Sequence, residues 1–167
     1  MLDGNHRVSV ARQLGATYIQ AHVIEIHTRV PLSADDTPSD LILKVEYAEF
    51  LASTRLDKLR PRADLTVSAP GSYPMLIEHI NVHRYFMGID RRRPVSYEDA
   101  VIDWYDKVYL PVVQIIRERG VLREFPGRTE TDLYLWLSQH RAELQYRLGW
   151  NIETEEAVAD LVEKASP

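Results

Sequence analysis

The chain has 167 residues, of which 45% are hydrophobic and 27% are charged, and it carries a formal net charge of −5. This composition is typical of a globular protein with a hydrophobic core, and the acidic balance argues against a general nucleic-acid binder. Because the chain has no cysteine, disulfides, thiolate zinc sites and cysteine nucleophiles are excluded. No apolar run reaches the ~20 residues of a membrane span, and the start lacks the apolar core of a signal peptide, so we expect a cytoplasmic protein.

The first predicted element is a helix that follows the sequence DGNHR, which begins at Asp3. Asp3 or Asn5 can cap this helix, and Gly15 can end it in a left-handed conformation. The first turn offers backbone N–H groups and the positive end of the helix dipole, and His6 and Arg7 add further donors, which together suit a phosphate. The same residues can equally form only a well-capped helix start, with Arg7 solvated and His6 packed.

Two stretches are predicted as β-strands. Tyr18 to Ile26 is the better of the two because of its β-branched content, and Ala63 to Ser68 is a short second one that ends at the Pro70–Gly71 turn. His22 and His27 lie on or just after the first strand. We interpret them as exposed or partner-bonded histidines rather than ligands.

The segments DGNHR, VSVARQLG and TYIQAHVIEI together resemble the phosphate-binding segment of the ParB/sulfiredoxin superfamily. Its members include the CTP-binding partition protein ParB, sulfiredoxins and free-serine kinases. The resemblance implies that Gly4, Asn5, His6 and Arg7 face the phosphates of a nucleotide, with Asp3 beside them. CTP or ATP with Mg²⁺ is then the candidate ligand.

The sequence departs from this superfamily in two ways. Sulfiredoxins carry their catalytic cysteine where this chain has Asn5, so thiol-based repair chemistry is excluded. The superfamily also has strands and a helix upstream of the motif, whereas only Met1 and Leu2 precede it here. We therefore expect an N-terminally truncated module.

Three later helices carry start signals. Thr37 with Asp40 and Thr129 with Asp132 each form a capping-box pattern, and Ser96 precedes another helix. The helix after Thr37 is expected to bury one apolar face, made of Leu41, Val45, Ala48 and Ala52.

The segment SYPMLIEHINVHRYFMG, residues 72–88, is apolar nearly all round and predicts a largely buried helix. His79 and His83 share one face of it, but no third metal ligand stands out, and the residue after His79 is Ile80 rather than the Glu of a metalloprotease. We therefore expect no metal. With Arg84 and Arg128 they form a candidate secondary polar cluster, which either satisfies charges inside a helical core or contributes to the DGNHR pocket.

Two charged groups have competing interpretations. Arg91, Arg92 and Arg93 follow the end of that helix and are solvated, or contact phosphate, RNA or an acidic partner. In the next helix, which Pro111 must kink or divide, acidic side chains share a face that could hold a divalent cation with waters, although favourable charge at a helix start also explains them. The acidic side chains are Asp99, Asp103 and Asp106.

These patterns predict a mainly α-helical α+β protein. Residues 1–32 would form a partial ParB/sulfiredoxin-like α/β module with one to two strands, and residues 33–167 a helical bundle. The segment from Asp40 to Arg141 resembles an uncharacterised bacterial helical region found beside DGNHR-type modules.

Three functions remain open from the sequence. The first is nucleotide or phosphate binding, with a regulatory helical domain and, if there is catalysis, phosphoryl transfer or nucleotide hydrolysis. The alternative is a non-enzymatic interaction module that binds a protein partner or forms a homo-oligomer. A transcriptional or DNA-partition role rests on the family analogy alone, and the net charge disfavours nucleic acid as a partner of this chain.

Overall fold

The computed structural model describes residues 5–20, 28–148 and 153–165, and these ranges form helices joined by loops. A π-helical turn covers Tyr105–Tyr109, and a short 3₁₀ turn covers Val121–Glu124. No helix in the described ranges is long and apolar enough to cross a membrane. The helices are α1 (Asn5–Gln13), α2 (Pro38–Thr54), α3 (Leu56–Leu59), α4 (Tyr73–Arg91), α5 (Tyr97–Trp104), α6 (Leu110–Glu118), α7 (Glu130–Leu148) and α8 (Thr154–Ala165).

The predicted helix starts are confirmed. Thr37 Oγ1 accepts the N–H of Asp40 at 3.2 Å, and Asp40 Oδ2 accepts the N–H of Thr37 at 2.9 Å, which completes the capping box of α2. At α7, the N–H of Thr129 donates to Asp132 at 2.8 Å and the N–H of Asp132 donates to Thr129 Oγ1 at 3.1 Å. Ser96 caps α5 through its side chain. Local polar signals therefore set where these helices begin.

The two predicted strands are not observed, because the described residues contain no β-strand. Leu65 and Val67 are buried, but segment 63–67 pairs with no strand among the described residues. Its backbone is instead satisfied by side chains: the carbonyl of Asp64 accepts from Tyr109 Oη at 3.3 Å. The other predicted strand is absent over residues 18–20, and its remainder lies outside the described residues.

The core is built around aromatic side chains from three parts of the chain. Trp104, Tyr109 and Tyr134 are almost fully buried, and the Tyr109 and Tyr134 rings meet edge to face with centroids 5.0 Å apart. Apolar side chains of α2, α4 and segment 63–67 pack around them, including Phe50 and Leu65. A second cluster lies where α6, α7 and α8 meet and contains Ile116, Leu133, Leu137, Ala157 and Val158.

The predicted burial is wrong for one side of α2 and one side of α4, because apolar side chains expected to be buried there are exposed. Leu41 and Val45 of α2 are exposed, and its buried side chains come from the last turns instead. α4 buries Leu76 and Ile80 against the core, since it packs on α5 and α2. Its opposite face is open and consists of Val82, Tyr85, Phe86 and Ile89.

The π-helical turn is how the chain accommodates Pro111. Proline has no N–H, and its ring clashes with the carbonyl four residues earlier. Across the widened turn, the N–H of Leu110 donates to the carbonyl of Tyr105, five residues back. The predicted break is therefore a local widening, and α5, the turn and α6 follow one another without a loop.

Candidate functional site

The DGNHR motif lies at the start of α1. Asn5 is the first helical residue, His6 and Arg7 are exposed in the first turn, and Gly15 ends the helix with a φ of 70°. Asp3 and Gly4 lie outside the described residues. Arg7 Nη2 donates to the main-chain carbonyl of Gln20 at 3.4 Å, close to the upper limit for a hydrogen bond. The motif is therefore placed at a helix N-terminus, as the sequence predicts.

An open groove of about 450 Å³ runs beside this helix. His6 and Arg7 line its polar part. The rest of the lining is apolar and consists of Val10, Ala11, Leu14, Ala16 and Ile19. The groove can therefore receive a ligand with one anionic end and one apolar body, and its volume is within the range of small-molecule sites.

The four residues of the predicted secondary cluster have separate partners. His79, His83, Arg84 and Arg128 each bond to a different part of the protein, and no hydrogen bond or ion pair in the described residues joins two of them. None of these contacts reaches the DGNHR groove. The four side chains are better described by their separate partners.

His79 belongs to a buried hydrogen-bonded chain. Its Nδ1 lies 3.0 Å from Tyr134 Oη, and the indole N–H of Trp104 donates to the same oxygen at 3.2 Å. Because an indole can only donate, Tyr134 Oη accepts from Trp104, and its own hydrogen can be donated to His79 Nδ1 when that nitrogen carries no proton. Burial lowers the pKa of His79 although Glu78 opposes the shift, which favours the neutral ring that can accept this bond. Burial also raises the pKa of Tyr134 to about 12.

His83 bonds to the carboxylate of Asp103, which also contacts Arg91 and Lys107. Its Nε2 lies 2.9 Å from Asp103 Oδ2, while Lys107 Nζ and Arg91 Nη2 lie 2.5 and 3.5 Å from Asp103 Oδ1. Burial raises the pKa of Asp103, but the hydrogen bonds from Lys107 and His83 outweigh it and lower the pKa overall. The negative charge of Asp103 is thus used to hold α4 against α5.

Two of the acidic side chains in α5 and the π-helical turn pair with cationic side chains. Asp106 is ion-paired with Arg60 and Asp103 is paired as described, while the backbone N–H of Asp99 donates to the Ser96 cap. No group of three histidine or acidic side chains in the described part of the chain is arranged to hold a metal ion.

Arg84 fastens the loop after α4. Its Nε donates to the carbonyl of Val95 at 2.8 Å, and its guanidinium lies 6.0 Å from the centre of the Tyr97 ring. Of the arginine run, Arg92 and Arg93 are exposed and form no ion pair with the described residues.

Arg128 lines a second cleft, of about 260 Å³, between the starts of α4 and α7. Its Nη1 donates to Ser68 Oγ at 3.2 Å. The carboxylate of Asp132 accepts the N–H of Ser68 at 3.1 Å as well as the N–H of Thr129. It therefore links the start of α7 to the segment that contains Ser68. Trp136 and Gln139 complete the polar and aromatic lining.

Sequence reasoning missed the partners of these side chains. Tyr134 is 55 residues from His79, and Asp103 is 20 residues from His83, so no local spacing connects them. For Asp132 the capping pattern gave the local role, but no sequence signal pointed to its bond with Ser68, 64 residues away.

The chain matches no protein-family model, no curated protein and no solved structure with significant similarity. The ParB/sulfiredoxin-like resemblance therefore stays a prediction.

Proposed function

We propose that the chain binds a nucleotide, or another ligand that joins a phosphate to an apolar body, in the groove beside α1. The observation that carries the proposal is the position of His6 and Arg7 at one part of a groove whose other lining is apolar. CTP and ATP with Mg²⁺ are the candidate ligands that the DGNHR resemblance implies.

The first turn of α1 supplies the electrostatic part of such a site. The backbone N–H groups of a first helical turn have no partner within the helix, and the helix dipole favours an anion there. The guanidinium of Arg7 can bind phosphate oxygens in a bidentate manner. Its long bond to the Gln20 carbonyl is weak enough to be exchanged for a phosphate at little cost.

The apolar part of the groove suits the remainder of a nucleotide. Val10, Leu14 and Ile19 are exposed in spite of their size, so covering them removes apolar surface from water. A nucleobase has flat apolar faces that can lie on such side chains. Free phosphate, which lacks this part, is expected to bind more weakly.

The proposal is limited to binding. Phosphoryl transfer and nucleotide hydrolysis need a positioned nucleophile, a cation and in many cases a base. No described side chain near His6 and Arg7 is assigned to such a role. We therefore propose a binding or regulatory site rather than a catalytic one.

The test is a titration of CTP, ATP and GTP with Mg²⁺, followed by calorimetry and by thermal unfolding. At a ligand concentration of about 100 times the dissociation constant, the folded state gains about 2.7 kcal/mol. For a chain of this length that corresponds to a rise in Tm of about 5–10 °C.

Arg7→Ala should abolish this shift, whereas Arg12→Ala is the matched control. Arg12 lies on the same helix and is also exposed, but it is in the last turn and does not line the groove. The proposal fails if no nucleotide binds, or if both variants bind as the unmodified protein does.

A further inference from the structure

The open face of α4 carries a regular stripe of exposed side chains. Glu78, Val82, Tyr85, Ile89 and Arg92 follow one another at steps of four, three, four and three residues, and all five are exposed. This is the spacing of a helix seam that packs against a second helix. Phe86 lies beside the stripe, with its ring 5.5 Å from that of Tyr85.

The opposite side of α4 packs against the rest of the protein. Leu76 and Ile80 are fully buried against the core, and Met87 is buried in a small cluster below the C-terminal half. A helix that packs on only one side normally has a polar outer face. Here the outer face has an apolar centre, and contiguous exposed apolar surface of this kind marks an interaction site.

The charges at the two ends of the stripe are opposite in sign. Glu78 is acidic and lies seven residues before Tyr85, which is about 10.5 Å along the helix. Arg92 is basic and directly follows the last residue of α4, where its backbone is left-handed with a φ of 52°. Neither side chain forms a hydrogen bond or ion pair with the described residues. The stripe is therefore complementary in charge to the same stripe of a second copy that runs in the opposite direction.

We propose that a second copy of the chain packs on this face, with the two α4 helices antiparallel and related by a two-fold axis at Tyr85. In this arrangement Glu78 of each copy faces Arg92 of the other, and Val82 faces Ile89. A two-fold contact uses the same patch on both copies, as the symmetry of the stripe requires. The four-three spacing suits helices that cross at about 20°.

The charges also select against other arrangements of two copies. In a parallel pair, Glu78 would face Glu78 and Arg92 would face Arg92, which is repulsive. A contact between single helices covers less than the ~800 Å² per partner of a standard interface. We therefore expect a dissociable dimer whose population depends on protein concentration.

Sedimentation velocity over a wide range of concentration, without nucleotide, is the first test. We expect the sedimentation coefficient of the unmodified chain to rise with concentration toward that of a dimer, and Ile89→Glu to remove this rise. The matched control is Ile42→Glu on α2, because Ile42 is 51% exposed and Ile89 is 54% exposed, but Ile42 is not on the stripe. A chain that stays monomeric, or two variants that behave alike, would overturn the proposal.

A charge exchange tests the antiparallel geometry. Glu78→Arg and Arg92→Glu should each weaken the dimer, because each creates two pairs of like charges. The double variant should dimerise again, and an equimolar mixture of the two single variants should form a mixed dimer in which both charge pairs are complementary. Failure of both the double variant and the mixture, with the single variants impaired, would refute this orientation. Circular dichroism of each variant checks that the helices are retained.

Discussion

Helices α1 and α7 both begin with polar side chains, but they use them differently. At α7, Thr129 and Asp132 close a capping box, and Asp132 also holds the N–H of Ser68. At α1, His6 and Arg7 are exposed, and Arg7 makes one long bond to a carbonyl. The polar groups of α7 therefore connect parts of the fold, whereas His6 and Arg7 of α1 line the groove in which we propose that a ligand binds.

The apolar residues of the two helices differ in the same way. Leu133 and Leu137 of α7 are fully or almost fully buried, while Val10 of α1 is 52% exposed. Helix α7 is thus part of the core, and α1 contributes little burial of its own. The difference indicates that a ligand or a substitution at α1 can act without disturbing the helical core.

The largest effect should come from a cavity in α7. Leu137→Ala removes a side chain that is 2% exposed in the cluster of α6, α7 and α8, and it should lower the free energy of unfolding by about 2–5 kcal/mol. Val10→Ala in α1 should change it by no more than about 0.5 kcal/mol. Urea unfolding followed by circular dichroism measures both. Equal effects at the two sites would mean that α1 is part of the core after all.

A smaller loss is expected at the cap of α7. Asp132→Ala removes the acceptor of two backbone N–H groups and should cost about 1–3 kcal/mol. The matched variant is Asp40→Ala in α2, whose carboxylate accepts within its own cap but has no hydrogen bond to a distant segment among the described residues. The difference between the two unfolding free energies measures the bond to Ser68. If Asp40→Ala costs as much as Asp132→Ala, that bond contributes nothing.

The smallest effect is a pH dependence that arises from His79, which bonds to α7. Its pKa is lowered in the folded protein by burial, from an ordinary value of 6.5, so between the two values the unfolded chain binds more protons. This contribution to stability is therefore complete above pH 6.5 and is lost as the pH falls through 6.5 toward the folded pKa. The carboxyls of Asp103 and Asp132 have lowered pKa values and titrate at more acidic pH.

Unfolding in urea between about pH 8 and pH 5 measures this dependence. His79→Gln should reduce the slope, and His83→Gln, which leaves the Tyr134 contact intact, should retain the part due to His79. An NMR titration in which the ring of His79 changes at or above 6.5 would contradict the assignment.

Local features of the fold could be predicted from the sequence because their causes are local. The caps at Thr37, Ser96 and Thr129 need only neighbouring residues, and the structure confirms them. Ala63 to Ser68 was predicted as a short strand, and the structure has no strand there, although Leu65 and Val67 are buried. A short apolar segment can be buried between helices as well as in a sheet, and its sequence does not distinguish the two.

Long-range features could not be predicted in this way. An apolar pattern all round α4 predicted burial on every side, but whether a neighbour covers each side depends on the rest of the fold. The hydrogen bond between His79 and Tyr134 joins residues that are far apart in sequence, and periodicity contains no information about it. For the candidate site, the sequence predicted the position of His6 and Arg7 at a helix start, but not the apolar groove beside them.

The π-helical turn makes the length of its segment as important as its composition. Each residue of a helix advances the chain by about 100° around the axis. The π-helical turn already holds one residue more than an α-helical turn, so deleting one residue from Tyr105–Tyr109 would leave a plain α-helical turn with α6 facing the same way. Inserting a further residue would instead turn α6 by about that angle and move Val113 and Ile116 away from the core in which they are buried. An insertion here would therefore be far more harmful than a substitution at the exposed position of Lys107. The number of residues at the junction of α5 and α6 therefore fixes which side chains of α6 face the two hydrophobic clusters.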